Sequence, residues 1–220
     1  MLMKTKTLRA QALLDFVRML LDRSKVQDSA HDLDHVLRVW KIGTIIGDAE
    51  KADMEILEPA LLLHDIIRPD SFLDEKEIKS KKAKKDNHAI ESARLSRKIL
   101  PDFSYKEEEI ERIAHAIQTH HKTKDTEVPQ TLEAKIVYDA DSYDILGFSG
   151  CGRAALFCAK EKMNTSKMAE WYLAKIKNLL SGAPFYTPSA IALANTRLTI
   201  SLDFCKELLG KDRFEDLMKR

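Results

Sequence analysis

This sequence predicts an all-α protein, and three observations carry the prediction. Apolar residues return every three to four positions in nearly every apolar segment, the spacing of one helix face. Strand-like alternation is missing. The seven glycines are not interleaved with the β-branched runs that mark strands between turns. At 220 residues the chain can bury one sizeable core, so a single domain spanning 1–220, ending in a C-terminal helical extension, is expected.

The elements follow in order. Leu13, Phe16, Val17, Leu20 and Leu21 make an amphipathic first helix. A second runs from about Asp32 to Gly47, with Val36, Val39, Trp40, Gly43 and Ile46 as its apolar stripe; His35, four residues before Val39, should point inward. A third, from about Asp53 to Ile67, is apolar on all sides near Ala60–Leu63. That marks a central buried helix ending in His64 and Asp65. Residues 69–86 are dense in charge, with Lys79, Lys81, Lys82, Lys84 and Lys85 after Asp74, Glu75 and Glu77. They read first as a solvated surface loop and second as a phosphate-binding lid.

Asn87 is placed as the N-cap of a fourth helix, which carries His88, Ala89, Ala93, Leu95 and Leu100 and is stopped by Pro101. Ser104 and Glu107 form an S-x-x-E capping pattern ahead of a fifth helix, with Ile110, Ile113 and Ile117, and His120 and His121 near its end. A sixth runs from about Leu132 through Ile136 and Val137 to Asp141 and Asp144. Gly147, Gly150 and Gly152 are then expected to break the chain before helices at about 154–162, 167–180 and 188–209, the last opened by Thr187 as cap and Pro188 at the first helical position.

Composition removes several function classes. With 36 basic and 35 acidic side chains the net charge is +1, so there is no general attraction to a nucleic-acid polymer or an anionic membrane. No apolar run approaches the ~20 residues needed to span a bilayer. Arg9, Gln11, Asp15 and Arg18 interrupt the N-terminal segment, unlike a signal peptide. Three cysteines, Cys151, Cys158 and Cys205, are an odd set without C-x-x-C spacing, which argues for a reducing compartment, with the cytoplasm expected. The apolar stripes of the C-terminal helices fit internal packing or a dimer face equally well.

The chemistry concentrates in His35, His64, Asp65 and Asp141. Two imidazoles and two carboxylates form a mixed nitrogen and oxygen set suited to a borderline or hard divalent ion, and Asp65 can reach a second ion as well. Any one of these residues alone would read as a hydrogen-bonded core group. A His-Asp pair closing an all-apolar helix is different, because burying an unpaired carboxylate is costly and a metal is one of few ways to stabilise it.

The blocks HDLDHVLRVWKIG, ALLLHDII, NHAIESARLSRKIL, IAHAIQTHH and DADSYDILG resemble, in order and spacing, the motifs of the HD superfamily of metal-dependent phosphohydrolases. The motif core covers about 29–150, and WYLAKIKNLLSGAPFYTPSAIALANTRL resembles the C-terminal helices, about 154–220, of small stand-alone members. The resemblance implies an all-α HD-domain fold with His35, His64, Asp65 and Asp141 as primary metal ligands and Asp65 as bridging carboxylate. It also implies that His88, His120 and His121 match positions that hold a second metal or line the substrate phosphate. His120 and His121 lie ~100° apart on an ideal helix, so one should face the site while the other supports a ligand from behind or turns to solvent.

The implied activity is metal-dependent hydrolysis of a small phosphorylated substrate, a nucleotide or related ester, with a divalent ion (Mn, Fe, Co, Ni, Zn or Mg) activating water. Arg38, in the family-like context His35-Val36-Leu37-Arg38-Val39-Trp40, and Arg68, after the His-Asp pair, are candidate phosphate contacts, with His88 and Lys85 behind them. Ordinary surface ion pairing is the competing reading of both arginines. After Asp65 the chain departs from relatives that place Gly-Lys or an acid there. It reads Ile66-Ile67-Arg68-Pro69-Asp70, leaving Asp70 or Glu75 as proton-transfer candidates. Asp139 and Asp144 read equally as groups that orient the ligating histidines and as hydrogen-bonded structural carboxylates, and His31 and His115 as structural or pocket-lining histidines. The departure also motivates an alternative, a non-catalytic regulatory HD domain that binds metal and nucleotide without turnover.

Overall fold

The computed structural model describes residues 5–22, 33–66, 88–121, 127–181 and 185–219, and every regular element among them is helical. In chain order these are α1 (Leu8–Asp22), α2 (Leu33–Glu50), α3 (Met54–Leu63), α4 (His88–Ile99), a 3₁₀ turn (Leu100–Phe103), α5 (Glu107–Gln118), α6 (Leu132–Asp144), α7 (Gly147–Lys160), α8 (Thr165–Leu180), α9 (Pro188–Leu209) and α10 (Lys211–Lys219). The chain divides into two compact units, Met1–Ala140 and Asp141–Arg220.

In the first unit α3 is the hub, packing against α1, α2, α4 and α5. Its N-terminus is capped by the Asp53 carboxylate, which accepts the Glu55 N–H at 3.1 Å. Each residue from Ile56 to Leu63 is buried, as all-round apolarity demands. Gly43 and Gly47 let α2 approach closely: a Cβ at Gly43 would stand 2.6 Å from a Leu61 methyl, and one at Gly47 would meet Leu57.

The polar exception in this buried run of α3 is Glu58, fully buried and unforeseen in the sequence. Its carboxylate accepts the Lys6 N–H at 2.9 Å, the Thr7 N–H at 3.2 Å and the Trp40 indole N–H at 3.2 Å. Burial pushes its pKa above the usual carboxylate value, and those three donors oppose the shift. Arg9 performs a similar tying role nearer the surface. Its guanidinium donates to Glu55 and Glu109, both at 2.7 Å, and lies 4.1 Å over the Tyr105 ring, joining α1 to α3 and α5.

In the second unit α9 packs on α7, α8 and α10. Asn164 caps α8 by accepting the Lys167 N–H at 2.9 Å, and Thr187 caps α9 by accepting the Ala190 N–H at 3.3 Å with Pro188 next in the chain.

Several boundaries differ from expectation, each for a local reason. Ser104 does not cap α5; it adopts a left-handed conformation (φ 61°) closing the 3₁₀ turn that contains Pro101. The helix starts after Lys106, whose N–H donates to Glu109 at 2.7 Å, so the reciprocal acid lies two residues beyond the one anticipated. Nor do Gly150 and Gly152 break the chain. Only Gly147, with φ 74°, makes the turn, and α7 begins there rather than at Ala154. α2 continues to Glu50, and α3 ends at Leu63, so His64 and Asp65 follow the helix instead of lying on it. The anticipated cap Asn87 lies outside the described residues.

Candidate metal centre

Helix ends assemble this site. His35 lies in the first turn of α2, His64 caps the C-terminus of α3 with Asp65 next to it, His88 opens α4, His120 follows α5, and Asp141 lies in the last turn of α6. α6 continues without interruption from Leu132 through Asp141. His35 and His64 are fully buried, while Asp65 and His120 are 3% and 2% exposed.

Asp65 is at the centre, and its two oxygens face different histidines. Oδ2 lies 3.6 Å from His35 Nε2 and 3.9 Å from His64 Nε2. Oδ1 lies 3.6 Å from both His88 Nε2 and His120 Nε2. His35 Nε2 and His64 Nε2 are themselves 3.3 Å apart. Two sets of donors result among the described residues: His35, His64 and Asp141, and separately Asp65, His88 and His120, each offering one ligand atom with all atoms of a set within 4.8 Å.

The donor chemistry fits divalent ions. His64 Nδ1 lies 2.8 Å from the Leu61 carbonyl and His120 Nδ1 lies 2.6 Å from the Ile117 carbonyl. A carbonyl oxygen only accepts, so Nδ1 carries a proton in both rings and Nε2 of each is left facing Asp65. Metal–ligand bonds of about 2.1 Å at tetrahedral or octahedral angles put neighbouring ligand atoms about 3.0–3.4 Å apart. The observed spacings lie at or just above that range, longer than ordinary hydrogen bonds. A buried carboxylate ringed by imidazole nitrogens is stabilised by a cation or protons between them, and its two oxygens face separate pairs of rings.

His121 is the other member of the predicted pair. It is exposed, with its ring 5.2 Å from that of His88, at the outer edge of the histidine cluster. Arg38 is half-buried and lines a groove of about 290 Å³ with Arg18, Asp34, Leu37, Trp40 and Lys41, giving that wall of α1 and α2 three cationic side chains. Arg68, Asp70, Glu75, Lys85 and His31 lie outside the described residues. Asp139 is fully buried, Asp144 pairs with Arg153 at 3.0 Å, and His115 accepts the Gln130 N–H at 3.2 Å. The carbonyls of Leu61 and Ile117, which fix the two ring orientations, were not anticipated. Their signal is that His64 and His120 each follow, by three residues, an apolar residue closing a buried helix.

A family model described as HD domain matches residues 32–146, just over half the chain, including every ligand candidate above. The chain belongs to the HD domain family. Among its relatives, YpgQ of Bacillus subtilis is 29% identical over 196 residues, covering 83% of this chain and 84% of YpgQ. The crystal structure of YpgQ in complex with ADP superposes with a TM-score of 0.67 at 25% identity, covering 91% of this chain and 93% of that one. An HD-superfamily hydrolase from Bacillus thuringiensis shares the fold, with a TM-score of 0.64 at 20% identity and 91% and 95% coverage. No described helix is long and apolar enough to cross a membrane.

Proposed function

We propose that this HD domain protein is a metal-dependent phosphohydrolase acting on a nucleotide or related small phosphate ester, with two divalent ions sharing Asp65. The observation that carries the reading is the division of Asp65, Oδ2 toward His35 and His64, Oδ1 toward His88 and His120. His35, His64, Asp65 and Asp141 would hold one ion, and Asp65, His88 and His120 the other. Bound there, such ions supply Lewis acidity and a water of lowered pKa.

The chain's own groups supply the rest. The Leu61 and Ile117 carbonyls hold Nδ1 of His64 and His120 and so aim Nε2 of each ring inward. Burial of His35, His64 and Asp65 excludes bulk water and strengthens every charge interaction at the site. Arg38, one turn from His35, is assigned to the substrate phosphate, where a guanidinium can bind two oxygens at once, and Arg68 to the same role. His88 at 11% side-chain exposure and His121 stand where a substrate would enter. A nucleotide is favoured as the substrate because the related YpgQ has been crystallised with ADP.

The test is a panel of nucleoside mono-, di- and triphosphates, cyclic nucleotides and simple esters, run with Mn, Fe, Co, Ni, Zn and Mg in turn. Turnover with at least one pair, abolished in Asp65→Ala, is expected. Tight nucleotide binding without product from any pair would replace the enzyme by a metal- and nucleotide-binding regulatory domain. Full activity in Asp65→Ala would remove the metal reading itself.

A further inference from the structure

α6 brings Asp141 to within one turn of its own C-terminus, the part of a helix with the fewest internal restraints, because its last carbonyls have no donors four residues on. No Gly follows directly to form the common left-handed cap. Instead Ile145 and Leu146 curl back, their N–H groups donating to Ser142 and Tyr143 at 3.2 and 3.1 Å. Their own carbonyls are met by side chains from α8 and α9. The Tyr172 hydroxyl donates to the Ile145 carbonyl at 2.7 Å, and Arg197 Nε donates to the Leu146 carbonyl at 2.9 Å.

The surroundings are built for these two contacts. Arg197 lies 4.3 Å over the Tyr143 ring and also donates to Ser149, so its guanidinium is held at one face and at one edge. Ser201 Oγ accepts the Gly147 N–H at 2.7 Å and sits 2.9 Å from the Tyr172 hydroxyl, linking the two donors. Tyr172 is 2% exposed. Gly147 and Gly150 leave the necessary space: a Cβ at Gly147 would lie 2.6 Å from Arg197 Nε, and one at Gly150 would lie 2.6 Å from the Tyr172 hydroxyl and collide with the Ile145 carbonyl. A cation at a helix C-terminus also opposes the helix dipole favourably.

We propose that Tyr172, Arg197 and Ser201 are positioning residues that clamp the end of α6 and thereby fix the Asp141 carboxylate as a metal ligand. The proposal rests on the metal-centre reading. Its distinctive consequence is selectivity between ions. Asp65, His88 and His120 come from the segment after α3, from α4 and from the segment after α5; only the donor set containing Asp141 draws on α6, the helix whose end the clamp holds.

The experiment is calorimetric titration of the metal-free full-length protein with Mn²⁺ for wild type, Asp141→Asn, Tyr172→Phe, Ser201→Ala, Arg197→Lys and Arg197→Ala, each first checked for helical content and cooperative melting. Asp141→Asn identifies which of two binding events involves that carboxylate. Tyr172→Phe and Arg197→Ala should weaken that same event by about 10- to 100-fold, the range seen when a group supporting a ligand is removed, and leave the other within about twofold. Arg197→Lys, which keeps a cationic donor, should recover part of the loss. Tyr172→Phe deletes one hydroxyl and keeps the ring, so it reports even if Arg197→Ala does not fold. Equal weakening of both events, or no change in folded Tyr172→Phe and Arg197→Lys, overturns the clamp while the metal centre stands. Absence of any binding to wild type overturns the metal centre and the clamp with it.

Discussion

Gly43→Ala is a sharp test of how α2 and α3 are joined, because a single methyl group is directed at one side chain. The new Cβ would lie 2.6 Å from a Leu61 methyl carbon, against a comfortable carbon–carbon separation of about 3.5–4.0 Å, so roughly 1 Å must be found. Leu61 is fully buried, so its side chain can yield only by repacking a dense core. Overpacking of this kind costs about 1–3 kcal/mol, and replacing a helical Gly by Ala returns about 1 kcal/mol. A net loss of about 1 kcal/mol is expected, lowering Tm by about 2–4 °C in a chain of this size.

Circular dichroism melts of Gly43→Ala, Leu61→Ala and the double variant provide the assay. Leu61→Ala alone should cost about 2–5 kcal/mol by opening a cavity. In the double variant the alanine methyl occupies part of that cavity, so the combined loss should fall short of the sum by about 1 kcal/mol. A Tm for Gly43→Ala at or above wild type, or strict additivity, would refute the close approach of the two helices. Displacement of Leu61 also moves the carbonyl that holds the His64 ring, so metal affinity should fall along with stability.

Two further outcomes follow from the geometry. His120→Ala should lose one of the two ions and at least about 100-fold in turnover on the substrate found by the panel, while His121→Ala, at the exposed edge, should stay within about tenfold; equal losses would contradict the assignment of His120 to Asp65. The hydrogen bond from Arg9, with that from the Lys106 N–H, holds the Glu109 carboxyl at about 2 against an ordinary 4.5. Because the folded value is the lower one, this contribution is complete above pH 4.5 and disappears as the pH falls toward 2, so urea midpoints measured from pH 6 to 2.5 should drop less steeply in Arg9→Met than in wild type.

The helices, and the positions of His35, His64, Asp65 and Asp141 at buried helix ends, were readable because both depend on periodicity and local order. Val36, Val39 and Ile46 mark one face of α2, and the all-round apolarity near Ala60–Leu63 announced α3 as the buried hub. What stayed hidden is tertiary. Glu58 reads as one more charged helix residue until Lys6, Thr7 and Trp40 arrive from elsewhere in the chain to donate to it. Tyr172 and Arg197 are indistinguishable in sequence from ordinary core aromatic and surface cation, since the carbonyls they satisfy lie 27 and 51 residues away. Gly147 and Gly150 looked alike as helix breakers; one supplies a backbone angle and the other an absent side chain. The division of Asp65 between two sets of histidines needed coordinates, because no spacing rule says which oxygen faces which ring.

The two tryptophans, Trp40 and Trp171, fall one in each compact unit. Trp40 is 2% exposed, with its indole N–H on the Glu58 carboxylate, five residues along α2 from His35. Trp171 is half-buried, its ring stacked 4.8 Å from Phe157 with the Lys175 ammonium 5.5 Å above it. The molecule thus contains two intrinsic fluorophores of different polarity, and Trp171→Phe would leave a single emitter on α2, the helix that carries His35. Its spectrum would then follow unfolding of the first unit without an added label, while Trp40→Phe would give the matching view of the second.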